Sequence, residues 1–503
     1  MVKYIYFMTS QEQWFELAED LYEKKIAKPI LWLGDDRHFE KAKNTFGDDA
    51  VRMLDFVHRP YLLESIEYNG EFESFFSSSN YIRAKDLCLK MMDRIDKNSS
   101  FGRLDREAYF HNLTLWTLKR LYNSLPDVFL AVENPHSHTQ YLIYEICLYL
   151  KIPTFKFNNW MPVPLMFLEN MSTGNLIKKP LNQETSKYDK IIDVLIEDFV
   201  NNLILEKENA KLPHMKILKK ENLKYSKIKT FIKQDIVDEL KDIKHNSEFI
   251  IKPKYNPINP SRLFYITRLK IRNKRKKNLL KALKENVQKM DYNKKYVYFP
   301  LHYEPERTTN PDGGVFQDQL LAIIKLRKLV PDNIAIIVKE HPSQFIYAEP
   351  GSRGRSPLFY KLIKNIKELK FISLNENSIK LILNSEMVAS VTGSVCIESA
   401  ILGKKAITFG KTWYSNCPNT IKWSDDLNYN EILKSNIKNN QEILTFLKKL
   451  KNNFSFIAIQ NVGKKEAFKE IINQDFYVSQ RKSLLNIISN FFKEKTYLIR
   501  EDK

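Results

Sequence analysis

Residues 338–345, VKEHPSQF, and residues 387–409, MVASVTGSVCIESAILGKKAITF, decide how this chain folds. The first stretch ends an apolar strand that begins at Ile334 and runs through Val338 into Lys339, Glu340, His341 and Pro342. Proline has no N–H to donate, so Pro342 stops the strand and leaves His341 at its carboxyl edge. The second stretch reads as a strand ending at Val391, a tight Thr392-Gly393-Ser394 turn, a helix from Val395 to Leu402, and Gly403 as the helix stop. Such a turn aims backbone N–H groups and the positive helix end at one point, which suits a phosphate. Ser394 is either a simple helix cap or a ligand group. Glu398 falls four residues after Ser394, where a capping box needs three, so it is either a solvated helical residue or free to reach a ligand. On the ligand reading, His341 and the turn hold a nucleotide phosphate and Glu398 holds ribose hydroxyls.

Working outward, an α/β domain begins at KKYVYFPL. The loop after its first strand, His302 to Thr309, carries Glu304, Glu306, Arg307 and two threonines, followed by PDGG and an amphipathic helix from Phe316 to Leu329. A loop so charged at the end of the first strand borders the same cleft. Arg353 and Arg355, in a loop with Gly, Ser and Pro, read as surface charges, with ligands for a carboxylate or phosphate as the alternative.

The start of the chain alternates in the same way. VKYIYFM, PILWLG and VRMLDFV read as strands, with helices at Gln11–Lys25 and His38–Phe46 between them. A helix at Asp105–Ser124, the strand DVFLAVE, a helix at Thr139–Leu150 and the strand PTFKF continue the pattern. This is a Rossmann-like domain without a GxGxxG loop. Ligand sites in open α/β sheets lie beyond the strand carboxyl ends, so the loops to watch are Met8-Thr9-Ser10, Gly34-Asp35-Asp36 and the ENPHSH segment, residues 133–138. Glu133, His136 and His138 make that segment the densest group of proton-transfer side chains in this half, a place for a general base or an acceptor contact. The competing reading is a turn at Asn134-Pro135, a helix capped by Ser137, and two histidines facing water. Asp35-Asp36 belongs to an ordinary polar loop, and no metal site is expected.

Composition bounds the rest. A chain of 503 residues with 43% hydrophobic content is long enough for two core-bearing domains. There is no run of eighteen apolar residues, and the opening KYIYFM meets Gln11 and Glu12 too soon for a signal peptide, so a cytoplasmic protein is expected, soluble or peripheral at the inner face of the cell membrane. Cys88, Cys147, Cys396 and Cys417 lack CxxC spacing and read as reduced packing residues. A formal net charge of +20 calls for an anionic partner. Much of that charge lies from Arg262 through Lys284, which follows a proline-bearing stretch and contains no acidic residue. The segment is either a solvated helical insertion or a basic amphipathic contact with anionic headgroups. Nucleic acid is not expected, because no RRM-type motif, zinc knuckle or helix-turn-helix accompanies the charge.

HP, then a strand-TGS-helix-Glu element, preceded by FPLHYEPERTT at residues 299–309, resembles the bacterial capsule and surface-polysaccharide glycosyltransferases that use CMP-activated ulosonic acids. These include Kdo transferases and sialyl- and polysialyltransferases. The resemblance covers residues 296–413. In that family the HP histidine and the small hydroxyl residues of the turn contact the donor phosphate, and the helix glutamate contacts the ribose. The matching positions here are His341, Thr392, Ser394 and Glu398; Pro342 and Gly393 sit in the same motifs, and the loop with Glu304, Glu306 and Arg307 borders the donor. Sialyltransferase-like members often carry two serines where this chain has Gly393-Ser394.

The expected architecture is therefore α/β of GT-B type, two Rossmann-like domains facing a cleft, with a helical basic insertion and C-terminal helices. Residues 1–181 form the acceptor domain, 182–290 the insertion, 291–427 the nucleotide-sugar donor domain and 428–503 the helical end. The expected activity is transfer of a CMP-activated ulosonic acid, such as Kdo or a nonulosonic acid, to a glycan or glycolipid acceptor. No cofactor or metal is expected; His341 stabilises the leaving phosphate, and Glu133, His136 or His138 accepts the proton. The alternatives are a CDP-alditol phosphotransferase of the teichoic-acid type and a non-catalytic RNA- or membrane-binding protein.

Overall fold

A computed structural model describes residues 1–8, 11–53, 70–95, 102–160, 163–179, 188–205, 262–305, 309–345, 350–457 and 474–495. Thr9, Ser10, Glu306 and Arg307 lie outside the described residues, as do the side chains of residues 262–269. The chain divides into two units. The first comprises Met1–Leu89, Arg103–Glu197 and Leu447–Lys503, and the second Lys90–Gly102 and Asp198–Phe446.

The first unit is built on β1 (Val2–Phe7), β2 (Ala27–Gly34), β3 (Ala50–Arg52), β4 (Val128–Ala131), β5 (Thr154–Trp160), β6 (Leu165–Asn170) and a late strand, Ser455–Ile457. Tyr4 to Phe7 are all buried, as expected of a parallel strand covered on both faces. The order is Ser455–Ile457, β6, β5, β4, β1, β2, β3. From β3 to β5 the neighbours are parallel, while β6 and the late strand add antiparallel edges that hydrophobic pattern alone did not suggest. The helix Gln474–Lys493 covers this sheet: Phe492 packs on Tyr4 and Phe491 on Phe155, with ring centroids 5.2 and 4.8 Å apart.

The second unit is built on β7 (Tyr296–Pro300), β8 (Ala335–Lys339), β9 (Leu369–Phe371), β10 (Met387–Ser390), β11 (Ala406–Thr408) and β12 (Thr420–Lys422). All its pairings are parallel, in the order β12, β11, β10, β7, β8, β9. Counted within each unit, both sheets follow the 3-2-1-4-5-6 order of the Rossmann fold, confirming the α/β class and the two Rossmann-like units. That order also fixes where a ligand can sit. The chain leaves the first strand of each unit toward one side and returns on the other, opening a crevice at the carboxyl ends of β1 and β4 and again at those of β7 and β10.

The helix Arg262–Asn286 joins the second unit by its later turns, where Leu279 and Leu283 enter the core that also holds Val297 and Ile336. Lys270, Lys274, Arg275, Lys277, Lys281 and Lys284 stay exposed. No described helix is long and apolar enough to cross a membrane.

Candidate active site

Three loops meet at the carboxyl edge of the second unit, and His302 is the residue that joins them. It follows β7 directly, and its ring crosses to the end of β10, where Nε2 accepts the Thr392 N–H at 3.1 Å and lies 3.1 Å from the Ser390 hydroxyl. The neutral ring therefore carries its hydrogen on Nδ1. Gly393 is required by the same approach, since a Cβ there would come within 2.8 Å of the Ser390 hydroxyl and 3.4 Å of the imidazole. Gln319 fixes the His302 backbone from below, accepting its N–H at 2.7 Å. Burial, followed by the neighbouring His341 and Arg355, holds the imidazole at about 3, far below the ordinary histidine range.

The HP loop after β8 is anchored by Glu340. One carboxylate oxygen accepts the His341 N–H at 2.8 Å; the other accepts the Tyr360 hydroxyl at 2.8 Å and Arg355 Nε at 3.0 Å. Arg355 Nη2 also donates to the His302 carbonyl at 2.8 Å, and the guanidinium stacks 4.5 Å from the Phe359 ring centroid. The Arg355 side chain is 4% exposed, which corrects its reading as a surface charge: its pairing with Glu340 lets it be buried. The Ser343 N–H donates to His341 Nδ1 at 3.1 Å, so the neutral His341 ring presents Nε2–H as its donor.

Ser394 does not cap its helix with its side chain. Its hydroxyl donates to Glu398 at 2.8 Å, and burial pushes the Glu398 carboxyl up, with the Ser394 bond opposing. Gly403 ends the helix Val395–Ile401 in the left-handed region, at φ +77°. Glu304 is buried, and its carboxylate accepts from Gln319 at 2.8 Å and Thr309 at 3.3 Å, so it organises the loop from within.

Sequence reading missed the roles of His302 and Glu340. Two signals were present: a histidine directly after the apolar run YVYFPL, and an acid directly before the HP histidine.

In the first unit, Glu133, His136 and His138 follow β4 at the switch point. Ser137 caps the helix His138–Tyr149 by accepting the Gln140 N–H. His138 is 2% exposed, with Nε2 3.0 Å from the Tyr109 hydroxyl, so it does not face water. His136 differs. Its Nδ1 donates to the Asn134 carbonyl at 2.7 Å, which leaves Nε2 as the basic nitrogen, 4.0 Å from the Glu133 carboxylate. The turn is fixed from inside by buried Lys156, which donates to Asn134 Oδ1 at 3.3 Å and pairs with Glu169 at 3.5 Å. Asp35 caps the helix Asp36–Phe46. No group of three or more His, Cys, Asp or Glu side chains suited to a metal occurs among the described residues.

A pH experiment checks the His302 environment. The folded state keeps this imidazole neutral down to about pH 3, whereas an unfolded chain binds the proton below about pH 6.5. Its contribution is present above pH 6.5 and is lost as pH falls through that window. Wild type should lose up to about 2 kcal/mol between pH 7 and pH 5 relative to His302→Gln, by urea unfolding. A constant difference between the two proteins would place His302 in water.

Residues 204–440 match the family model described as capsule polysaccharide biosynthesis protein. A search of the curated proteins finds no match. Among solved structures, the chain is similar to the KpsC beta Kdo 2,7 transferase of Thermosulfurimonas dismutans, with 12% identity over 68% of this chain and 79% of that one and a TM-score of 0.26. The beta Kdo 2,4 transferase of the same protein matches at 11% identity over 63% and 78%, with a TM-score of 0.25. A UDP-GlcNAc 2-epimerase from Methanocaldococcus jannaschii matches at 14% identity over 90% and 99%, with a TM-score of 0.23.

Proposed function

We propose, taking the capsule polysaccharide biosynthesis match of residues 204–440 as the premise, that this chain is a glycosyltransferase acting in capsule or surface-glycan synthesis. The observation that carries the reading is that His302, His341 and the Thr392-Gly393-Ser394 turn converge at the switch point of the second unit, inside the matched span. The proposed donor is a CMP-activated ulosonic acid, Kdo or a nonulosonic acid. The phosphate lies at the turn with His341 Nε2–H as a donor, and Glu398 serves the ribose. As the acceptor oxygen bonds to the anomeric carbon, the bond from that carbon to the phosphate oxygen breaks and CMP departs with its electron pair. Donors placed where that charge develops lower the barrier most effectively. The acceptor proton goes to Glu133 or His136 in the first unit; the tautomer of His136 suits it to this role, and burial against Tyr109 disfavours His138. The exposed lysines and arginine of the helix Arg262–Asn286 are the proposed contact with an anionic membrane face, so binding to anionic vesicles should fall with salt.

The test is acceptor-dependent release of CMP from a CMP-activated ulosonic acid, run with and without EDTA. Release that persists in EDTA and falls at least tenfold in Glu133→Gln or His136→Ala is expected. CMP release that ignores the acceptor, or transfer only from a CDP-alditol, would overturn the assignment.

A further inference from the structure

A cavity of about 390 Å³ lies on the second unit, lined by Asp93, Arg275, Asn278, Arg353, Arg355 and Ser356. We propose that it binds a small phosphate monoester. Two of its three arginines are already matched: Arg353 pairs with Asp93 at 2.5 Å and Arg355 with Glu340 at 3.0 Å. Arg275 is exposed on its helix and has no hydrogen-bond or ion-pair partner among the described residues. The three arginines thus carry one positive charge more than Asp93 in the lining and Glu340 behind it balance.

The arrangement of donors selects the anion. Arg275 and Asn278 come from the helix Arg262–Asn286, whereas Ser356 comes from the start of the helix Pro357–Lys364. The Ser356 hydroxyl oxygen accepts the Phe359 N–H at 3.3 Å, which leaves its own O–H to donate. A guanidinium fork and an amide from one helix, with a hydroxyl from another, suit the several oxygens of a tetrahedral phosphate better than the two oxygens of a planar carboxylate. The volume falls in the range of small-molecule pockets, so bare phosphate would leave most of it empty. Leu279 and Pro357 complete the wall with apolar surface for the carbon skeleton of an ester.

The phosphate could be carried by a soluble metabolite or presented by a lipid headgroup, and two measurements on the full chain separate these. In the first, sn-glycerol 3-phosphate is titrated calorimetrically into wild type, Arg275→Gln, Asn278→Ala and Lys274→Gln. In the second, the same proteins are sedimented with phosphatidylcholine vesicles with or without phosphatidate. Binding should weaken at least tenfold in Arg275→Gln and Asn278→Ala in either arm and, in the first arm, persist in Lys274→Gln, which removes one charge beside the cavity without touching its lining. Binding in the first arm alone identifies a soluble ester, and in the second alone a headgroup. No binding in either arm overturns the proposal, as does an equal loss of sn-glycerol 3-phosphate binding in Lys274→Gln. CMP titration is unaffected by Arg275→Gln on this account, so failure here is distinguishable from failure of the transferase assignment.

Discussion

Glu340→Ala is expected to destabilise the second unit by about 3–5 kcal/mol, the cost of breaking a buried ion pair from one side. Glu340 is 1% exposed and satisfies three donors at once: the His341 N–H, the Tyr360 hydroxyl and Arg355 Nε. Removing the carboxylate strands the Arg355 guanidinium, whose Nη2 stays bound to the His302 carbonyl. Tyr360→Phe deletes a single hydrogen bond and should cost only about 1 kcal/mol. The double variant Glu340→Ala with Arg355→Met should recover much of the loss, because both charges are then gone. Urea unfolding followed by the fluorescence of Trp413 and Trp423 measures all three. A loss below 1 kcal/mol in Glu340→Ala would mean that Arg355 is solvated and the network carries little.

His341→Ala should lower turnover about a hundredfold while changing donor affinity only a few-fold. A hydrogen bond to the departing phosphate strengthens as charge develops, so its loss falls on the chemical step. Glu398→Ala should do the reverse, raising the donor dissociation constant about tenfold with a smaller effect on turnover, because ribose contacts are alike in ground and transition states. Steady-state and single-turnover kinetics separate the two. Wild-type kinetics in both variants would return His341 to a turn-forming role and Glu398 to that of partner for the Ser394 hydroxyl.

Much of the second unit could be read from local pattern. The apolar runs at β7, β8 and β10 are legible because parallel strands are buried on both faces, and Pro342 and Gly403 mark ends by backbone restrictions that act within one or two residues. His302 was not legible as a clamp, since its role exists only because β10 lies beside β7, which brings Ser390 and Thr392 within reach across some ninety residues. Arg355 misled for a related reason. Its flanking glycine and proline suggest a surface loop, yet the residues that bury it, Glu340 and Phe359, belong to other elements. In the first unit the position of ENPHSH at a strand end was legible, whereas the burial of His138 depended on Tyr109, twenty-nine residues earlier. The antiparallel additions at the sheet edge and the cover supplied by Gln474–Lys493 required tertiary contacts that no periodicity encodes.

The most direct test of a cytidine-nucleotide site at the β7 and β10 edge is calorimetric titration of CMP and UDP into wild type and Glu398→Ala. The account predicts that CMP binds wild type more tightly than UDP does and that the CMP affinity falls about tenfold in the variant. UDP binding as tightly as CMP, or CMP affinity unchanged by Glu398→Ala, would contradict it.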